Sequence, residues 1–145
     1  MVKYETLTKY MVELANRHPN IQFVKFDNDV DAINDPSYKS PSFIISPTQC
    51  ILNENSFVNY GFQLLYLDKL TQEEDNYDNI LEDGSAYMLG FIEVLNLKYK
   101  VIKGITLDPI LTGFDGGMLV GFQANIEIEA QFNFEKFMSP FYGDE

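Results

Sequence analysis

Between Gly117 and Gln131, Met118, Val120, Phe122, Ala124, Ile126, Ile128 and Ala130 alternate with Gln123, Asn125, Glu127 and Glu129. A period of two sends the two sets to opposite faces of an extended strand, so this segment belongs in a sheet with one face on a core and the other wet. A second long strand is predicted from Phe57 to Leu67, with Val58, Tyr60, Phe62, Leu64 and Tyr66 on one face and Asn59, Gly61 and Gln63 among those opposite.

The remaining pattern is helical or short. In the segment from Tyr4 to His18, Tyr4, Leu7, Met11, Leu14 and Ala15 follow the three-and-four spacing of a helix, which His18-Pro19-Asn20 stops. After the polar connector Asp68 to Asn76, the residues Tyr77, Ile80, Leu81, Met88, Phe91, Ile92 and Leu95 predict a second helix. Gly84 inside it costs about 1 kcal/mol relative to Ala, which points to a break or to close packing. Short strands are expected at Ile21 to Phe26 and at Ser42 to Ser46, the latter bracketed by Pro41 and Pro47, with an acidic loop from Asp27 to Tyr38 between them. Leu97 to Leu107 is expected to be a further strand, which the glycine-rich turn Thr112 to Gly117 joins to the last strand as a hairpin.

These elements predict an α+β fold: a mainly antiparallel sheet of four or more strands, two helices packed on one face, and the other face open. Residues 1–131 read as a single domain and 132–145 as an aromatic C-terminal arm. A chain of 145 residues that is 46% hydrophobic, with twelve Phe and nine Tyr, has enough apolar area for a core without disulfides or metal.

Charge narrows the function. Twenty-two acidic residues against 10 basic ones give a formal charge of −12, a field that repels phosphate backbones and acidic membrane surfaces. Sequence-specific nucleic-acid binding is therefore disfavoured, whereas a channel through which DNA slides, or a decoy imitating DNA, would suit the charge. Cys50 is the lone cysteine, the opening Met-Val-Lys-Tyr-Glu is not followed by an apolar leader run, and no stretch approaches the roughly 18 apolar residues of a membrane span. An intracellular protein outside the membrane is expected.

No residue set assembles into a catalytic motif. Asp27, Asp29 and Asp31 open like a calcium loop, yet an EF-hand begun at Asp27 needs Gly and Glu where Ala32 and Tyr38 stand, so a solvated loop is expected and no metal. His18 and Cys50 are the only residues of their kinds. A nucleophilic pair would require them to meet; His18 instead suits a helix end and Cys50 a small buried hydrophobe. Gly113, Gly116 and Gly117 lack the Lys-Ser/Thr of a phosphate loop. Glu73, Glu74 and Asp75 precede the second helix, where carboxylates favour the positive end of its dipole. With Glu127 and Glu129 they are the candidates to face solvent or a channel. Phe132, Phe134, Phe137, Phe141 and Tyr142 crowd the arm, and aromatics concentrate at interface hot spots, so these five are the candidate subunit contacts. No enzyme activity and no cofactor are expected.

The element order over residues 4–131 resembles the tail-terminator and tail-completion proteins of tailed phages, small α+β subunits of the head-tail junction. The closest local likeness is the strand end Leu64-Leu65-Tyr66-Leu67-Asp68-Lys69, the acidic connector Glu73-Glu74-Asp75, and the helix opening Asn79-Ile80-Leu81-Glu82-Asp83. That resemblance implies a closed homo-oligomeric ring, of about six or twelve subunits, that DNA crosses without specific binding. It further implies portal or adaptor proteins on one side, tail proteins on the other, a virion location in the neck or tail, and assembly in the bacterial host cytoplasm. The abundance of Asn, Ile, Tyr and Phe looks like AT-rich coding, and a neck ring of a crAss-like phage fits it. The alternative is an acidic inhibitor, a DNA mimic or immunity-type protein, that binds a basic enzyme through the same charge.

Overall fold

Each long strand finds its partner in the other. In a computed structural model that describes residues 3–54, 57–102, 104–114, 117–131, 140–141 and 143, β3 (Phe57–Lys69) and β6 (Gly117–Gln131) pair antiparallel in unbroken register from Phe57 opposite Gln131 to Lys69 opposite Leu119. β2 (Ser42–Leu52) pairs antiparallel with the free edge of β3, and β1 (Phe23–Phe26) adds to β2 in parallel. On the far edge of β6 lie β5 (Asp108–Phe114), opposite its first half, and the two-residue β4 (Lys100–Val101), opposite Glu129 and Ile128. The sheet is mixed, mostly antiparallel, and the chain is α+β.

The two predicted helices, α1 (Tyr4–Asn16) and α3 (Tyr77–Lys98), cover one face. Leu7 and Met11 of α1 and Met88, Phe91 and Leu95 of α3 pack on Phe43, Phe62, Leu64, Ile126 and Ile128, the inward set of the alternating strands. The Tyr87 hydroxyl donates to the Ala15 carbonyl at 2.8 Å, which ties the two helices together and satisfies a polar atom that burial would otherwise strand.

The structure corrects five expectations. The acidic loop contains a five-residue helix, α2 (Asp29–Ile33), capped by Asn28, whose side chain accepts from the Asp31 amide. Its Ala32 joins Ile44, Leu65, Leu67 and Leu119 in a second cluster on the opposite face, so that face is open only over part of its length. One turn of helix is too short to show a period, which is why it reads as loop. β2 does not stop at Ser46 but continues to Leu52, and its register shifts between Pro47 and Cys50, as a residue without an amide hydrogen requires.

Leu97 to Leu107 is not a strand. Leu97 and Lys98 are the last residues of α3, Lys100 and Val101 alone among the described residues of this stretch pair as a strand, and Gly104 at φ 91 turns the chain before the true hairpin partner, β5. Finally, Cys50 is exposed rather than buried. The hairpin itself closes where expected, with Phe114 opposite Gly117 and the two residues between them outside the described set.

Gly84 does not break α3; it allows close packing, since a Cβ there would stand 2.8 Å from Cδ1 of Tyr66, whereas one at Gly90 would meet nothing within 4 Å. The two glycines should therefore respond oppositely to alanine. Gly90→Ala is expected to stabilise by about 0.4–1 kcal/mol through lost unfolded-state entropy, and Gly84→Ala to destabilise by about 1–2 kcal/mol through overpacking. Urea unfolding midpoints check this, and equal signs would contradict the packing.

Candidate docking groove

Alongside α3 runs a groove of about 730 Å³, formed where α1 ends and the chain turns back into the sheet. Tyr66, Tyr87 and Phe91 line it from the core, Ala86, Gly90 and Val94 from α3, and His18, Pro19, Ile21 and Pro41 from the opposite wall. A spacing of four sets Ala86, Gly90 and Val94 in one row on the helix, and the Tyr66, Tyr87 and Phe91 rings at the base of the groove are buried. Phe43 braces those rings from beneath, its centroid 4.9 Å from Tyr87 and 4.8 Å from Phe91. His18 stands edge-on to Tyr87 at 5.3 Å, and its Nδ1 accepts from the Asn20 amide at 3.3 Å.

Arg17, Asp68 and Asp83 also line the groove. Burial pushes the half-buried Asp68 carboxyl above its usual range; hydrogen bonds from the Lys69 amide at 2.8 Å and from Ser40 oppose this, and the Asp83 charge adds to it. Burial likewise raises the Tyr66 and Tyr87 phenols, so both rings stay neutral. The result is a largely apolar trough whose charged lining groups are Arg17, Asp68 and Asp83. Beyond it the same helix face remains uncovered: Leu89 is 54% and Leu97 86% exposed.

The residues singled out in the sequence lie elsewhere. Glu127 and Glu129 are half-buried on the opposite face of the sheet, and Glu129 pairs with Lys100 at 3.3 Å. Glu73, Glu74 and Asp75 are exposed in the connector, where Leu70 bonds to Met118 at the other end of β6. Nine residues of strand, about 30 Å, separate Met118 from Glu127, so the two acidic groups form no common patch within one subunit. The first-turn acid of α3 is Asp78, while Asp75 accepts from the Thr71 hydroxyl at 2.6 Å.

Asp27 and Asp29 accept from the amides of Asn28 and Val30, and Asp31 from the Asn28 side chain. Among the described residues no three His, Cys, Asp or Glu side chains converge as a metal site. His18 lines the groove with Pro41, next to the first residue of β2, whereas Cys50 lies eight residues along that strand, about 26 Å away; the two do not meet. Phe132, Phe134, Phe137 and Tyr142 lie outside the described residues, and Phe141 is 92% exposed.

Tyr66, Asp68, Ala86, Tyr87, Gly90 and Val94 escaped the sequence reading as site residues. The one available signal was the row Ala86, Gly90, Val94, too small and weakly apolar for an outward face that solvent alone would cover. No described helix is long and apolar enough to cross a membrane. No protein-family model matches the sequence, and a search of curated proteins finds no match.

The raised Asp68 carboxyl sets a pH dependence. The folded state holds this proton more tightly than the unfolded chain does, so its contribution favours folding below the ordinary value of 3.8 and is lost as pH rises through the folded value. Asp68→Asn, which keeps an acceptor for the Lys69 amide, should melt above the wild type at pH 7 and alongside it near pH 3. Thermal melts across that range decide; a lower midpoint for Asp68→Asn at pH 7 would mean the carboxylate is well paired.

Proposed function

We propose that the protein is a structural subunit of a phage head-tail connector or tail-terminator ring, one that surrounds the DNA passage and joins portal or adaptor to tail. In this reading it catalyses no reaction, binds no cofactor, and resides in the neck or tail of the virion after assembly in the host cytoplasm. The observation that carries the reading is the exposure of Leu89, Val94 and Leu97 on α3 near the groove, where Leu89 and Leu97 flank Glu93 in one row of the helix. In a chain of net charge −12, solvent-facing positions are otherwise readily supplied by carboxylates. Burying two leucines against a neighbour would contribute about 1.5–3 kcal/mol each.

The charge supports the same reading from the other side. A strongly acidic subunit lets DNA slide past without adhering, and a contact between two different surfaces of one chain closes into a ring when its rotation permits.

Light scattering over a range of concentrations, alone and with candidate portal, adaptor and tail proteins, tests the proposal. The wild type should form a species of about six or twelve subunits, alone or with partners. Leu89→Glu combined with Leu97→Glu should abolish it with the thermal midpoint unchanged. A wild-type monomer indifferent to neck proteins would overturn the ring and favour the acidic inhibitor of a basic enzyme.

A further inference from the structure

We propose that residues 28–38 form a strap that lifts as a unit and uncovers an apolar strip on the second face of the sheet, with the Lys25–Asp35 ion pair as its latch. The device works within one chain and stands apart from the ring reading.

The strap contributes little of what it covers. Ile44, Leu65, Leu67 and Leu119 are at most 2% exposed, and all four belong to the sheet. Ala32 is the strap's buried member of that cluster, with Ile33 and Tyr38 partly buried at its margin. The cluster is distinct from the core beneath α1 and α3, so lifting the strap leaves the helix face packed.

Hydrogen bonding points the same way. The strap's amides donate within the strap: Asp31 to the Asn28 side chain, Ala32 to the Asn28 carbonyl, Asn34 to that of Val30 and Tyr38 to that of Asp35. None of these four bonds is a rung of the sheet. The chain is fixed just before the strap, where the Asp27 amide donates to the Ile45 carbonyl at 3.1 Å and the Asp27 carbonyl accepts from the Ser46 hydroxyl at 2.5 Å. Beyond that point side chains make the ties. Lys25 Nζ lies 2.5 Å from Asp35 Oδ2, and the Tyr38 and Ser42 hydroxyls share a bond of 2.8 Å. Bonds from Lys25 and then from Ser37 hold the Asp35 carboxyl well below the usual carboxylate range, so the latch is charged at neutral pH. An ion pair with both side chains partly exposed holds weakly in water, as a latch that opens must. A single turn of helix has no stability of its own, so α2 melts once off the sheet and its amides exchange.

Amide exchange of the full chain in low urea tests the strap. Ala32, Asn34 and Tyr38 should exchange through one shared opening that needs less urea than β3 and β6 do. Lys25→Met should speed those amides about three- to tenfold while β3 and β6 change less than about twofold, and Lys25→Arg should restore the wild-type rates. Thiol labelling checks that the strip is uncovered: in a Cys50→Ser chain, Ile44→Cys should react faster by the same factor when Lys25→Met is added, whereas Ala124→Cys, beneath the helices, should not. Strap amides that exchange only together with β3 and β6, or each at its own rate without dependence on urea, overturn the proposal. So does an Ile44→Cys thiol that reacts only on global unfolding, since the strap would then fray without uncovering the strip.

Discussion

The antiparallel register between β3 and β6, thirteen residue pairs without a bulge, is the constraint on which the rest of the structure depends. It requires Gly121, because a Cβ there would collide with the backbone carbonyl of Tyr66. With the register set, Tyr66 projects toward the helices, and Gly84 lets α3 settle against its ring. Tyr87 then falls within bonding distance of the Ala15 carbonyl, and α1 is fastened to α3. The groove is the space left where this sequence of contacts ends, with the buried Tyr66 and Tyr87 rings along its base and Ala86 and Gly90 along its helical side.

Charge and apolar surface are distributed unequally around that frame. The carboxylates of Asp27, Asp29 and Asp31 accept locally, from the Asn28 and Val30 amides and the Asn28 side chain, and Glu129 is paired by Lys100. The exposed face of α3 carries Leu89, Val94 and Leu97 among its carboxylates, with Glu93 between the two leucines. In the proposed ring, the acidic connector and the Glu127 and Glu129 pair would reach a common channel only from different subunits or at different heights, since a strand's length separates them in one subunit.

How legible these features were in the sequence followed from how many residues carry each signal. β6 repeats its alternation over fifteen residues and α3 its period over twenty-two, so both were evident, as was the α+β class. α2 has a single turn, and its burial depends on Ala32 meeting Leu65 and Leu119 from distant strands, which no local pattern encodes. The residues from Leu97 to Leu107 are apolar at positions compatible with either period, and the choice falls to packing: Leu95 completes the core and Leu97 hangs past it. The groove was invisible for a similar reason. Tyr66 and Tyr87 read as ordinary core, as their burial bears out, and only the tertiary crossing shows that a groove runs beside them.

The central claim is that this chain meets its neighbours through α3 and the groove beside it. Hydrogen-deuterium exchange of the full chain, compared between dilute and concentrated solution, tests that most directly. The account predicts slowed exchange at high concentration in residues 14–21 and 83–98, with β1, β4 and β5, the strands bordering the sheet, unchanged. Slowing confined to β1 or β5 would mean the sheet edges make the contact, and no concentration dependence at all would contradict self-assembly.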